Sequence, residues 1–291
     1  MSFLLEEVAS QPECWSKAIE MAAAAGPALP AKGERVAVIG CGSSLNVARA
    51  YAVLREAAGH GETDAYPASE VRFRRYDRMV FVSRTGTTTE VLDALRQVPP
   101  GITTTAVAAD PCSPLPQEAD TAVVLDFADE RSVVSTRFIT SSIVLLRAHL
   151  GADVRALPGQ AAHELAQPLP PNLAERTEFT FLGCGWAAAV ADEAALKLRE
   201  ASRTWAESYP AMEYRHGPIS VSDSRTVVCA LGEVPPDLLA DARRTGALVI
   251  TSPADPLAGL IGAQRLAALL AGRKGIDPDQ PRALSRSVIL A

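Results

Sequence analysis

Three strings in this chain recur in the same order at one spacing. An apolar run ending in Gly40-Cys41-Gly42 is matched by one ending in Gly183-Cys184-Gly185, an offset of 143 (Gly183 against Gly40). Leu54-Arg55-Glu56-Ala57 is matched by Leu198-Arg199-Glu200-Ala201 at an offset of 144 (Leu198 against Leu54). The stretch 65–73, containing Tyr66-Pro67-Ala68 and Glu70, is matched by 208–216, containing Tyr209-Pro210-Ala211 and Glu213, again at 143. Short Ala/Leu/Gly-rich strings recur by chance, but chance explains the third pair poorly. Self-similarity at a fixed period means one structural unit used more than once. The chain is therefore expected to fold as a tandem duplication, and 291 residues suit two domains of roughly 100 to 150 residues each.

Both copies read alike. An apolar strand (36–39 and 179–182) runs into glycines, and a long helical segment follows (45–58 and 187–202). Copy one continues with strand 79–83, helix 88–97, strands 103–108 and 121–125, and helix 133–150. Copy two continues with strand 225–230, helix 236–245, strand 247–251 and helix 257–272. Strands alternating with helices predict a mainly parallel sheet flanked by helices on both faces, an α/β fold of the doubly wound, flavodoxin-like kind. The expected boundaries are one N-terminal helix over 1–28, a first domain over 29–150, a linker over 151–176, and a second domain with a C-terminal tail over 177–291.

Composition narrows the partners. The formal net charge is −6, which argues against a nucleic-acid surface, since that needs a clustered basic excess. An acidic protein can still bind a small anion through backbone N–H groups. The five cysteines are odd in number and far apart, so they read as reduced thiols. The four histidines lack metal-ligand spacing, and no metal or cofactor is expected. The N-terminus lacks a basic run before an apolar stretch, and no apolar run approaches the roughly 20 residues of a membrane span. A soluble cytoplasmic protein is the expectation.

Gly40-Cys41-Gly42-Ser43-Ser44 lies between a strand and a helix, where N–H groups and the helix dipole favour an anion. Ser43 and Ser44 fit helix capping equally well. The next strand-to-helix loop, Ser83-Arg84-Thr85-Gly86-Thr87-Thr88-Thr89, gathers five hydroxyls and a guanidinium. Capping needs one hydroxyl, so the surplus suits an anion with three oxygens. Such ligands bind beyond the carboxyl ends of strands. Ser135-Thr136 opens another helix and fits capping as well as ligand contact. Copy two has Trp186-Ala187-Ala188 after its Gly-Cys-Gly and is expected to lack the phosphate pocket.

These strings, with Val133-Val134-Ser135-Thr136-Arg137, Ala195-Leu196-Lys197-Leu198-Arg199-Glu200, the segment 206–218 and the tail 279–285, resemble the sugar isomerase (SIS) domain family. Among its members the resemblance is to the isomerase half of the glucosamine-6-phosphate synthases. It covers nearly the whole chain and implies two tandem SIS domains, a homodimer and a hexose 6-phosphate ligand. By position it implies that Cys41, Gly42, Ser43 and Ser44 line the sugar pocket. It further implies that Ser83, Arg84 (a Gln in the synthases), Thr85 and Thr88 hold the phosphate, and that Ser135 contacts the sugar. Glu200 corresponds to the carboxylate that moves a proton between C1 and C2, and Lys197 to a lysine beside it. His216 corresponds to the histidine that assists ring opening from a neighbouring subunit.

Aldose–ketose chemistry needs such a base and a near-neutral acid–base group. Lys197 and Glu200 are three apart and share a helix face. A structural carboxylate is the competing reading of Glu200, because Glu56 occupies its place in copy one. His216 has Phe73 as its counterpart, an asymmetry that favours a role.

Two departures separate the chain from the synthases. Their N-terminal glutaminase domain finds no room in 291 residues, so glutamine-independent chemistry is expected. Their Schiff-base lysine is replaced by Arg286, whose guanidinium stays protonated and is no practical amine nucleophile. It could cover the sugar electrostatically. Lys274 is near in sequence, but nothing positions it. The expected activity is a phosphosugar isomerase or an aminosugar-6-phosphate deaminase. A deglycase of amino-acid-conjugated sugar phosphates and a non-catalytic sugar-phosphate sensor are the alternatives.

Overall fold

The computed structural model describes residues 2–252 and 255–290. The chain opens with two helices, α1 (Phe3–Ala9) and α2 (Gln11–Ala25), rather than the single helix expected. Pro12 lies in the first turn of α2, where its missing N–H costs nothing; inside one continuous helix its ring would clash with the preceding turn. The break therefore falls at Ser10.

Residues divide into two compact units that exchange chain ends. Ser10–Ala156 joins the tail from Leu284, and Leu157–Ala283 joins the first residues through Ala9. The first unit contains β1 (Val36–Gly40), α3 (Ser43–Ala57), β2 (Thr63–Pro67), β3 (Arg78–Val82), α4 (Thr89–Arg96), β4 (Thr103–Ala108), α5 (Pro114–Glu118), β5 (Thr121–Val124) and α6 (Arg137–His149). Its strands are all parallel, in the order β2-β1-β3-β4-β5. Residues alternate between the two faces of a strand. Ala37, Ile39, Met79 and Phe81 accordingly share one face, which packs on Val91, Leu92, Leu95 and Leu115 of α4 and α5. Helices α2 and α6 pack together, joined where the Trp15 indole donates to Thr140 Oγ1 at 2.8 Å and Thr140 donates to Gln11 Oε1 at 2.8 Å.

The second unit adds α7 (Leu157–Ala166), β6 (Glu178–Gly183), α8 (Ala187–Ser202), β7 (Ala206–Pro210), β8 (Thr226–Leu231), α9 (Pro236–Arg244), β9 (Leu248–Ser252) and α10 (Pro256–Arg273). Its four strands are parallel in the order β7-β6-β8-β9, the same order over the shared positions. Leu182, Val228 and Ala230 pack on Leu238, Leu239 and Ala242 of α9. Asp279 accepts the N–H groups of Phe3 at 2.7 Å and Leu4 at 2.8 Å, fastening the start of α1 to this unit. Among the described residues no helix is long and apolar enough to cross a membrane.

Candidate active site

In the first unit the sheet order changes direction between β1 and β3, which opens a crevice beyond their carboxyl ends. Ile39 pairs with Phe81 in that register, so the loops 41–44 and 83–88 leave the same sheet edge side by side. Gly40 must be glycine, because a Cβ there would sit 2.5 Å from the Ser44 carbonyl carbon. Gly42 turns the chain at φ +54°. In the second loop Gly86 has φ +62°, and a Cβ on it would strike the Ser113 hydroxyl.

The N-cap residues of α3 and α4, Gly42 and Thr88, make no side-chain cap bond. Buried Ser83 accepts the Gly86 N–H at 3.2 Å and lies 3.4 Å from Thr88 Oγ1. Thr87 Oγ1 lies 3.0 Å from Thr85 Oγ1 and 2.9 Å from Ser287 Oγ. The tail thus reaches the hydroxyl-rich loop, and Thr89 donates its N–H to the Val288 carbonyl at 3.1 Å. Ser43 and Cys41 are half-buried and Ser44 is buried. Burial raises the Cys41 thiol above its ordinary value, against an opposing hydrogen bond to the Ala68 backbone, so it stays a thiol at neutral pH.

The two arginines assigned to this region are engaged by carboxylates. Arg84 is 6% exposed and donates to Glu130 Oε2 at 3.2 Å and to the carbonyls of Ser132, Val133 and Arg286. Arg286 donates to both oxygens of Asp129, at 2.5 and 2.7 Å. Ser135 is half-buried and donates to Glu130 at 2.7 Å. Sequence reasoning passed over Glu130, Asp129 and Ser287, and counted Thr87 among the loop hydroxyls without giving it a role. The available signal for Glu130 was an acid five residues before Ser135, just ahead of a helix start.

In the second unit Lys197 is 1% exposed within α8, held between two carboxylates. Its Nζ lies 2.6 Å from Glu200 Oε2 and 3.1 Å from Glu193 Oε1. Burial alone would lower the ammonium, but attraction and hydrogen bonds from Glu193 and Glu200 together raise it above the ordinary lysine value. Lys197 is therefore a fixed cation that orients Glu200, whose side chain keeps 19% exposure. Glu193 was missed, although its i,i+4 spacing to Lys197 was there to read. His216 is exposed and follows a short 3₁₀ segment, Ala211–Arg215, after β7. Among the described residues no group of three or more His, Cys, Asp or Glu side chains could hold a metal.

No family model matches the chain. Relatives and solved structures do. The glutamine–fructose-6-phosphate aminotransferase (isomerizing) of Pyrobaculum aerophilum is 28% identical over 98% of this chain and 57% of its own length. That of Synechocystis is 32% identical over 57% of this chain and 31% of its own length. The chain spans a little over half the length of the curated relatives it matches most fully. Glucosamine-6-phosphate deaminase from Thermotoga maritima superposes with a TM-score of 0.83 at 27% identity, over 99% of this chain and 100% of that one. Tagatose-6-phosphate ketose/aldose isomerase from Escherichia coli gives 0.81 at 19% identity, over 98% and 97%, and shares the fold.

Two parallel sheets flanked by helices, the first bearing a hydroxyl-rich loop at its switch point, define the chain as an α/β protein of the architecture found in phosphosugar isomerases. Along nearly its whole length the chain is similar to a little over half the length of the glutamine–fructose-6-phosphate aminotransferases, the part that carries their isomerase (SIS) domain.

Proposed function

We propose that the chain is a phosphosugar isomerase or aminosugar-6-phosphate deaminase that moves a proton between C1 and C2 of a hexose 6-phosphate. The carrying observation is the loop 83–88, whose hydroxyls gather beside the 41–44 loop at the switch point, with Thr88 making no side-chain cap bond to α4. Neutral hydroxyls, backbone N–H groups and helix N-termini suit a phosphate. Arg84 and Arg286 are held by carboxylates, so phosphate capture is assigned to Ser83, Thr85 and Thr88, with Ser43 and Ser44 toward the sugar.

Proton transfer is assigned to Glu200. In the open-chain aminosugar it takes the C2 proton while the C1 carbonyl oxygen is protonated, and it returns the proton to C1. The resulting C2 imine is hydrolysed by water to the ketose and ammonia. An isomerase follows the same proton path and releases the aldose or ketose intact. Lys197 holds the carboxylate in place and keeps it paired between turnovers. His216 is the candidate for ring opening, supplied across a homodimer.

The reading of the fold as two tandem SIS domains is supported by the common strand order and by matching glycine turns, Gly42 at φ +54° and Gly185 at φ +56°. The likeness to the Thermotoga maritima glucosamine-6-phosphate deaminase, at 27% identity and a TM-score of 0.83, supports the deaminase reading. The test is to incubate the protein with glucosamine 6-phosphate and with fructose 6-phosphate, following ammonia release and aldose–ketose exchange. Release or exchange supports the proposal. Sugar-phosphate binding with neither reaction would make the chain a sensor.

A further inference from the structure

Glu130 has only 1% of its surface exposed, yet it accepts five hydrogen bonds through two distinct oxygens. Oε1 accepts the backbone N–H groups of Thr136 at 2.5 Å and Arg137 at 2.8 Å, and the Thr136 hydroxyl at 2.7 Å. That oxygen caps α6, whose N-cap residue Thr136 makes no side-chain cap bond of its own. Oε2 has no part in the cap. It accepts the Ser135 hydroxyl at 2.7 Å and an Arg84 guanidinium N–H at 3.2 Å.

We propose that Glu130 is a positioning residue that fixes the hydrogen-bond polarity of Ser135, so that the site selects a sugar hydroxyl at that point. This deepens the sugar-phosphate reading above and rests on it. A serine hydroxyl has one hydrogen and two acceptor lone pairs, whereas a carboxylate only accepts. Once Oε2 takes the hydrogen, the half-buried Ser135 oxygen can offer a ligand nothing but lone pairs. A ligand O–H or N–H completes that bond. A carbonyl, ether or fluorine would meet lone pair with lone pair.

Arg84 adds a spacing to this polarity. It follows Ser83 in the hydroxyl-rich loop, and its guanidinium joins Oε2 to the carbonyls of Ser132 and Val133. The distance between the phosphate loop and the Ser135 acceptor is therefore fixed by buried bonds. The pair thus reads a hydroxyl at a set reach from the phosphate.

The test measures binding of fructose 6-phosphate, each of its monodeoxy analogues, the matching monofluoro analogue, and inorganic phosphate. In the wild type one monodeoxy analogue should bind about tenfold more weakly than fructose 6-phosphate, the size of one lost hydrogen bond. The fluoro analogue at the same carbon should be no better than the deoxy one. In Glu130→Gln the carboxamide N–H₂ faces Ser135 and frees its hydrogen. There the deoxy penalty should persist, but the fluoro analogue, which can accept the freed hydrogen, should bind better than the deoxy one, while inorganic phosphate binds as before. Ser135→Ala, which disturbs neither the α6 cap nor Arg84, should lose the deoxy penalty altogether.

If Glu130→Gln fails to fold, the wild-type comparison of fluoro with deoxy decides alone. In the wild type a fluoro analogue that recovers most of the lost affinity would overturn the assigned polarity, as would an undiminished deoxy penalty in Ser135→Ala. Binding of fructose 6-phosphate with no analogue discriminated overturns this inference and leaves the sugar-phosphate reading standing. A wild type that binds neither fructose 6-phosphate nor phosphate brings down both.

Discussion

Leu-Arg-Glu-Ala closes α3 in the first unit and α8 in the second, and its two charged residues have parted ways. The arginines do similar work: Arg55 donates to Gly61 O and Thr63 Oγ1, and Arg199 to Ala206 O, each tying its helix to the edge strand that follows. The glutamates do not. Glu56 accepts the Thr63 N–H at 2.9 Å and serves the fold, whereas Glu200 turns to Lys197. The partners explain the divergence. At the 144-residue offset Lys197 answers to Val53 and Glu193 to Arg49, so only the second unit carries the buried acid–lysine–acid run. Hydroxyls show the reverse bias. Ser43 and Ser44 answer to Trp186 and Ala187, and the 83–88 loop has its counterpart in Gly232-Glu233-Val234-Pro235, where a proline removes a donor. Similar strand orders carry a hydroxyl-rich loop in one unit and an acid–lysine–acid run in the other.

The sharpest way to break this comparison is to change the paired glutamates. Glu200→Gln should lower turnover about a thousandfold, within the usual range for removing an acid–base group, with sugar-phosphate affinity intact. Glu56→Gln should leave turnover near wild type; equal turnover in all three proteins would remove Glu200 from the mechanism. Lys197→Met strips the buried Glu193 of its countercharge and should cost about 3–5 kcal/mol in denaturant unfolding. Val53→Lys at the exposed counterpart should stay within ~0.5 kcal/mol. A small loss for Lys197→Met would mean that the run is not a tightly coupled buried unit.

Gly40→Ala and Gly183→Ala test what the units share. A Cβ would come within 2.5 Å of Ser44 backbone in one and 2.2 Å of Ala187 backbone in the other. Each should destabilise its protein by about 1–3 kcal/mol or more; a neutral result at one site would end the likeness of the two turns. The smallest effect concerns alkali. The Lys197 value is raised in the fold, so its stabilisation is fully present below about pH 10.4 and is lost as pH climbs through the raised value. The stability gap between wild type and Lys197→Met should stay level from neutral pH to about pH 10 and narrow above it. Narrowing below about pH 9 would contradict the raised value.

Apolar runs made most strands and helices legible, because buried parallel strands leave an uninterrupted hydrophobic signature. The strands β2 and β7 escaped notice. Both lie at sheet edges, are mostly half-exposed, and end in Pro67 and Pro210, so they show neither an apolar run nor alternation. The exchange of chain ends was hidden too, since it depends on bonds such as Asp279 to Phe3 and Thr89 to Val288 that no local pattern encodes. In the site, the hydroxyl surplus at 83–89 was visible as composition. The engagement of Arg84 by Glu130 was not, because those residues are 46 apart in sequence and meet only once the sheet has formed.

The central claim is that the first unit holds a phosphate group through the hydroxyls of its second loop. Calorimetric titration with fructose 6-phosphate and with fructose, on wild type, Ser83→Ala and Thr88→Ala, addresses it directly. Each variant should lose about tenfold in affinity for the phosphorylated sugar and be unchanged toward fructose. Equal losses toward both sugars, or none toward either, would contradict it.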